Sequence, residues 1–224
     1  MYVPTHFAMT DRDAMHRVIR EHPLGMLVVQ GPEGLDANHL PLELDASVGP
    51  WGRLVGHVAR ANPVWHEVPS GAEVLVVFRG PAGYVSPNWY PSKHETHRQV
   101  PTWNYEVVHA HGTFVAHDDP RHVRGVVARL TRTHEASEPR PWRMGDAPPD
   151  YLDAMVGAIV GIEIDIVRLV GKSKLSQNKA ARDRAGAIDA LRERERTELA
   201  DAMRRAAPDD GTAQPAAGGG TVQR

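Results

Sequence analysis

Short runs of alternating apolar and polar residues, each closed by Gly or Pro, dominate the first half of this chain, with brief stretches of helical spacing between them. Thr10 and Asp13 have the spacing of a capping box. Met15, Val18, Ile19 and His22 then fall on one helical face until Pro23 stops the run. Leu24 to Gln30, Leu35 to Leu44 and Gly52 to Ala59 read as strands of an antiparallel meander, the first two joined by a Gly-Pro-Glu-Gly turn at Gly31 to Gly34. Asn62-Pro63-Val64-Trp65 predicts a turn into a brief helix, and Ala72 to Phe78 a strongly apolar, β-branched strand. Glu106 to Ala116 alternates, with Val107, His109, His111, Thr113 and Val115 on one side.

Asp119 and Pro120 open a helix whose Val123, Val126, Val127 and Leu130 form a core-facing stripe. A Pro-rich loop from Glu138 to Pro149 leads to a last strand, in which Ile162, Ile164 and Ile166 oppose Glu163 and Asp165. From about Asn178 to Ala206 the pattern predicts one helix. Its narrow stripe of Ile188, Leu191, Leu199 and Met203 suits docking on a surface or a partner subunit rather than burial in a core. Residues 207–224 have almost nothing to bury and read as a disordered tail. The division is therefore a domain over 1–178, a C-terminal helix over 179–206 and the tail. Six or so strands with short helices give a mainly β fold with flanking helices, a β-barrel or an α+β sheet, and argue against a doubly wound nucleotide fold.

Composition narrows the chemistry. The 224 residues include no Cys, which excludes disulfides, thiolate nucleophiles and thiolate zinc sites. Together with an amino terminus that does not read as a secretory signal, this fits a cytoplasmic protein. The most apolar window, Ala154 to Val170, is broken by Glu163, Asp165 and Arg168 and falls short of a membrane span. Net charge is -2, yet Arg168 to Arg205 holds eleven Lys and Arg against six Asp and Glu, so the last quarter is basic.

Tyr84 to Gly112 crowds aromatics, prolines, histidines and amides. Trp89, Tyr90, Trp103 and Tyr105 each carry a polar atom that needs a partner if buried, so the stretch reads as a ligand-facing wall rather than a core. Gly171-Lys172-Ser173 is no P-loop, because Ile166 stands where the first glycine belongs. His94-Glu95-Thr96-His97 places its second His one residue too early for a zinc-protease helix. His109-x-His111 puts two imidazoles on one strand face. A third ligand would come from His57, His39 or Glu106, and the favoured reading is a polar face of neutral imidazoles with no metal. No nucleophile elbow is present. Gly56 to Pro63 ends a strand with His57, Arg60 and Asn62, where a phosphate could be gripped. Gly171 to Lys179 reads as a basic linker between the last strand and the last helix, either a ligand contact or a simple cap.

Asn38 to Leu42, Gly56 to Trp65, Tyr84 to Pro87 with Trp89-Tyr90, Lys93, Val100 to Tyr105 with Val108-His109, and Lys174 to Asn178 together resemble the PaiB family of FMN-binding split-barrel proteins, described as negative transcriptional regulators. These blocks spread over most of positions 1–206. The resemblance implies a split barrel over 1–178 of the pyridoxamine-phosphate-oxidase type, a homodimer, and FMN in the cleft between subunits. A flavin needs cations for its phosphate, a flat surface for its ring and amides for the ring's polar edge. On that footing His57, Arg60 and Lys93 are assigned to the phosphate, with Asn62 and Lys174 as further cofactor-binding candidates. Trp103 and Leu40 are assigned to the ring, and Asn104, Gln177 and backbone near His39 to its edge. Strand alternation separates His57 from Arg60 unless the strand ends near Ala59.

Two functions follow. One is a repressor responding to flavin occupancy or redox state, although no DNA-reading module is recognisable in the sequence. The other is an oxidoreductase in which FMN takes hydride from NAD(P)H and passes electrons to a small acceptor, with His109, His111, Trp89 and Tyr105 orienting it. Heme or another flat cofactor in the same cleft is a third possibility.

Overall fold

The computed structural model describes residues 1–207, so positions 208–224 of the expected tail lie outside the described residues. In chain order the elements are β1 (Ala8–Met9), α1 (Arg12–Glu21), β2 (Leu24–Gly31), β3 (Gly34–Pro41), β4 (Glu43–Asp45), β5 (Arg53–Ala59), α2 (Val64–Glu67) and β6 (Glu73–Val85). There follow α3 (Pro91–Thr96), β7 (Thr102–His117), α4 (Pro120–Glu135), α5 (Pro149–Gly157), β8 (Ile159–Lys174), α6 (Ala181–Arg192) and α7 (Thr197–Arg205). The strands make an eight-stranded sheet in the order β3-β2-β6-β7-β8-β5-β4, with β1 paired to β8. The chain divides into two compact units: Met1, Met9–Gly80 and Val107–Gly171 form the first, and Tyr2–Ala8, Pro81–Glu106 and the chain from Lys172 form the second.

In the first unit, α1 starts one residue later than the capping box suggests. Asp11, not Thr10, is the cap, its carboxylate accepting from the Asp13 N–H at 3.1 Å. The helix buries Met15, Val18 and Ile19, and His16 joins them by bonding its Nε2 to the Trp51 carbonyl at 2.9 Å. β2 and β3 pair antiparallel from Leu24↔Pro41 to Gly31↔Gly34, the predicted hairpin. β5 and β8 pair antiparallel over seven positions, Arg53↔Asp165 to Ala59↔Ile159. Because strand side chains alternate, Leu54, Val58, Val160, Ile162 and Ile164 enter the main core with Val76, Phe78 and Phe114. Arg53, Val55, His57, Gly161, Glu163 and Asp165 occupy the opposite face.

Helix α4 covers part of that second face. Asp119 caps it, accepting from the Arg121 and His122 amides, and Val126 and Leu130 pack on Val55 as one small apolar cluster. Between the Pro-rich loop and the last strand lies a helix the sequence pattern does not predict, α5, which starts at the loop's final residue because Pro149 at the first helical position is pre-set for a helix rather than opposed to one.

In the second unit the expectation of one long helix is corrected to two, α6 and α7, separated at residues 193–196. Glu195 adopts a left-handed conformation with φ 58°, and the Arg196 N–H folds back to the Leu191 carbonyl at 2.9 Å. The fold-back gives the hairpin a core of its own. Leu191, Leu199, Ala200 and Met203 bury together with Val85, Tyr90 and Leu175, so the narrow stripe is an interior one. Tyr90 also departs from the ligand-wall reading. It is fully buried, with its hydroxyl 3.5 Å from Ser176 Oγ. Among the described residues no helix is long and apolar enough to cross a membrane.

Gly112 on β7 lies where a Cβ would stand 2.5 Å from the Asp165 carbonyl oxygen and 2.6 Å from Ile164 Cγ2, atoms of the strand that carries the core. Gly112→Ala is therefore expected to destabilise by about 1–3 kcal/mol through forced separation of packed backbone. Urea unfolding checks this by a lowered midpoint at unchanged slope.

Candidate functional site

The turn after β5 is built by its own polar groups. β5 ends at Ala59, which releases Arg60 from the strand's alternation, and the Arg60 amide donates to the Ala158 carbonyl at 2.8 Å. Asn62 accepts from the Val64 N–H at 3.0 Å and donates to Asn38 on β3 at 2.7 Å. Trp65 Nε1 donates to the Arg60 carbonyl at 2.9 Å, and the Arg60 guanidinium lies 5.9 Å from the Trp65 ring. The structure thus brings Asn38, Arg60, Asn62 and Trp65 together. His39 is exposed one residue along β3, while Leu40 is buried in the core.

Arg60 already has partners. It grips Asp118 through both terminal nitrogens at 2.6 and 3.0 Å, and its Nε donates to the Gly157 carbonyl at 2.6 Å. The hydrogen-bonded Asp118 raises the arginine's pKa, and Arg60 in turn lowers that of Asp118. Any anion recruited by this arginine competes with a fork already formed. His57 sits directly across from Gly161. Its Nδ1 is buried without a hydrogen-bond partner, and burial lowers its pKa.

On β7 the first unit leaves Val107, His109, His111, Thr113 and Val115 half-buried, the alternation the sequence predicts. The His109 and His111 rings lie 6.4 Å apart. Burial lowers both pKa values, and the charges of Arg168 and the N-terminus push the same way. Neither belongs to a three-ligand cluster among the described residues. One such cluster exists elsewhere, His117, His122 and Glu163, which the sequence reading did not single out. Burial, then the neighbouring His117, lowers the pKa of His122.

The second unit holds the remaining candidates. Lys174 Nζ donates to Thr102 Oγ1 and to the Trp103 carbonyl, the latter at 2.8 Å. This fixes the backbone that presents Trp103, a residue 57% exposed. Asn104 is 1% exposed and spends its amide on the fold, donating to Ser176 Oγ at 2.9 Å and Met203 Sδ at 3.4 Å. Ser176 is left-handed, φ 66°, a conformation few non-glycine residues adopt. Gln177 accepts from the Leu175 amide and donates to the Ser173 carbonyl, at 2.8 and 2.6 Å. Both amides are thus turned onto the Lys174 to Gln177 turn itself. Lys93, on α3, has no ion-pair partner among the described residues and stays available for an anion.

Part of the basic C-terminal stretch is paired with acids, and its excess of eleven Lys and Arg over six Asp and Glu remains. Arg182 pairs with Glu95 at 2.5 Å and Arg192 with Asp201 at 2.9 Å, Arg194 lies 5.0 Å from the Trp89 ring, and Arg196 donates to the Ala82 carbonyl.

Comparison with known proteins agrees with this picture. Residues 1–168 match the family described as "Putative FMN-binding domain". A curated protein of Bacillus subtilis, "Protease synthase and sporulation protein PAI 2", is 29% identical over 87% of this chain and 91% of its own. An uncharacterized protein of Aspergillus fumigatus is 31% identical over 84% of this chain and 90% of its own. Among solved structures, the FAD and heme binding protein of Mycobacterium smegmatis superposes with a TM-score of 0.54 at 16% identity, over 80% of this chain and 79% of that one. The shared fold is the split barrel of flavin-binding proteins.

The buried histidines predict a pH dependence with a definite sign. The folded pKa values of His57, His109 and His111 lie below the ordinary value of about 6.5. As pH falls from about 6.5 the unfolded chain takes up protons first, and stability drops across that window. Thermal unfolding between pH 8 and pH 5 is expected to show a falling Tm, with a shallower slope in His57→Gln.

Proposed function

Because the chain belongs to the PaiB-like family of FMN-binding split-barrel proteins, we propose that it is a cytoplasmic, homodimeric negative regulator of transcription whose output depends on FMN occupancy or redox state. FMN is the cofactor, and it supplies a redox-active ring when bound. The residues present fit it unequally. In the second unit, Trp103 offers an exposed flat face beside a backbone held by Lys174, and Lys93 offers an unpaired ammonium, suited to the isoalloxazine ring and the phosphate. In the first unit, Asn62 and the exposed His39 are polar groups at a built turn, and His57 carries an unpartnered nitrogen. Arg60 must share its fork with Asp118. Leu40, Asn104 and Gln177 support the ligand-bearing backbone, since their side chains are occupied by the fold itself.

The observation that carries the regulatory reading is the set of PaiB-like blocks spread along most of the chain. The similarity to the Bacillus subtilis protein, named a protease synthase and sporulation protein, spans 87% of this chain and goes with that resemblance. No DNA-reading module is recognisable in the sequence, which favours repression through a partner or effector over direct groove reading. A second reading, a flavin-dependent oxidoreductase, is favoured by one observation: the half-buried, neutral His109 and His111 on an accessible strand face, able to hydrogen-bond a small acceptor.

Purified protein is expected to be yellow, and Lys93→Ala and Trp103→Ala each to weaken FMN roughly 10- to 100-fold, as loss of a charged or stacked contact would. Fluorescence titration measures this. Transcript profiling of a deletion strain and of a flavin-free variant tests the output. Derepression of one common gene set in both is expected. Unchanged transcripts, together with flavin bleaching on anaerobic NADH or NADPH, would replace regulation by the oxidoreductase.

A further inference from the structure

We propose that His117, His122 and Glu163 form a binding site for a divalent transition-metal ion of the zinc class. The three come from different elements: His117 closes β7, His122 lies in the first turn of α4, and Glu163 is on β8. One potential ligand atom of each lies within 4.8 Å of the other two. His117 Nε2 is 3.3 Å from Glu163 Oε2, and His122 Nε2 is 3.6 Å from Glu163 Oε1.

Neither contact has the geometry of a hydrogen bond. Both Nε2 atoms are buried and neither has a hydrogen-bond partner, an arrangement that folded proteins avoid unless something else fills the gap. Two imidazole nitrogens and a carboxylate facing one another with no proton shared are the donors of a cation site. Around a tetrahedral ion with bonds of about 2.1 Å, neighbouring ligand atoms stand roughly 3.4 Å apart, close to the two His–Glu separations of 3.3 and 3.6 Å. Imidazole with one carboxylate suits zinc, cobalt, nickel or iron(II), whereas calcium and magnesium want oxygen alone.

The surroundings fix the donors. Arg53 Nη1 donates to Glu163 Oε2, the oxygen that also faces His117, at 2.8 Å and its Nε to Asp165 at 2.6 Å, which orients the carboxylate. The Asp119 carboxylate accepts from the His122 amide at 3.0 Å, which sets where that side chain starts. The two rings stack, centroids 4.0 Å apart and 22° from parallel. Beneath them Gly161 leaves room, since a Cβ there would stand 3.0 Å from His122 Cδ2. Three protein ligands leave at least one coordination position for water or a substrate group, as in catalytic rather than closed structural sites. None of these residues is among the flavin candidates, so the proposal stands apart from the flavin reading.

The untagged full chain, stripped with chelator and titrated with Co²⁺ alone, is expected to bind one equivalent with visible d–d bands of nitrogen and oxygen ligation, and Zn²⁺ to displace it. Saturating Zn²⁺ should raise the Tm by about 5 °C or more. His117→Gln and His122→Gln should each weaken Co²⁺ at least 30-fold, and His109→Gln/His111→Gln should leave it unchanged. Circular dichroism without metal separates lost binding from lost fold, and the wild-type cobalt spectrum is informative even if one variant fails to fold. Absence of binding at millimolar Co²⁺, or binding that survives both single substitutions, would overturn the site and leave a metal-free cluster of His, Glu and Arg.

Discussion

The pairing of β5 with β8 in a single register is the constraint on which the first unit depends. With Leu54 opposite Ile164 and Val58 opposite Val160, five buried aliphatic side chains enter the core. The same register sends Arg53, His57, Glu163 and Asp165 to the other side, under and beside α4. Side-chain direction alternates at every residue, so a slip of one position would bury the charges and expose the aliphatics. Arg53, bound to Asp165 and Glu163 at once, adds a directional lock, because a guanidinium fork meets two carboxylates in few geometries. Everything polar that the first unit gathers on its outer face inherits its position from this ladder.

The second unit is organised differently. Its centre is a turn of backbone, Lys174 to Gln177, pinned by side chains from elsewhere in the unit: Asn104 on Ser176, Lys174 on Thr102 and Trp103. The helical hairpin of α6 and α7 seals that turn from one side with Leu191, Leu199 and Met203. The polar amides that look like ligand donors in the sequence also hold this turn together, beside the exposed Trp103. A flavin-binding protein needs both kinds, since an exposed aromatic holds a ring only as well as its backbone is held.

Much of this was legible beforehand. Period-two alternation gave the hairpin at Gly31–Gly34 and the two faces of β7 and β8, and Asp119-Pro120 announced α4, because these signals are local. What failed was local evidence overridden by distant contacts. Tyr90 looks like a ligand residue by composition, yet a core forms around it from helices about a hundred residues later. The one-helix reading of 179–206 missed the reversal at Glu195, since Arg and Glu are good helix formers and the chain leaves the helix there only through a left-handed residue. Arg60 stays a phosphate candidate, and its pairing with Asp118 is a contact that spacing along the chain does not announce. His117, His122 and Glu163 are ordinary residues in three separate elements, and only the sheet register and the cap of α4 bring them to one point.

The separation of β5 from β8 also sets an order of events during synthesis. Arg53 and Asp165 are 112 positions apart, so closing their ladder costs more chain entropy than closing the tight hairpin of β2 and β3. At translation speeds of about 5–20 residues per second, β5 waits on the order of 5–20 s for its mate to leave the ribosome. In that interval Leu54, Val58 and the unpaired strand edge are bare, and the nascent chain depends on dilution or on a chaperone to keep them from other strands.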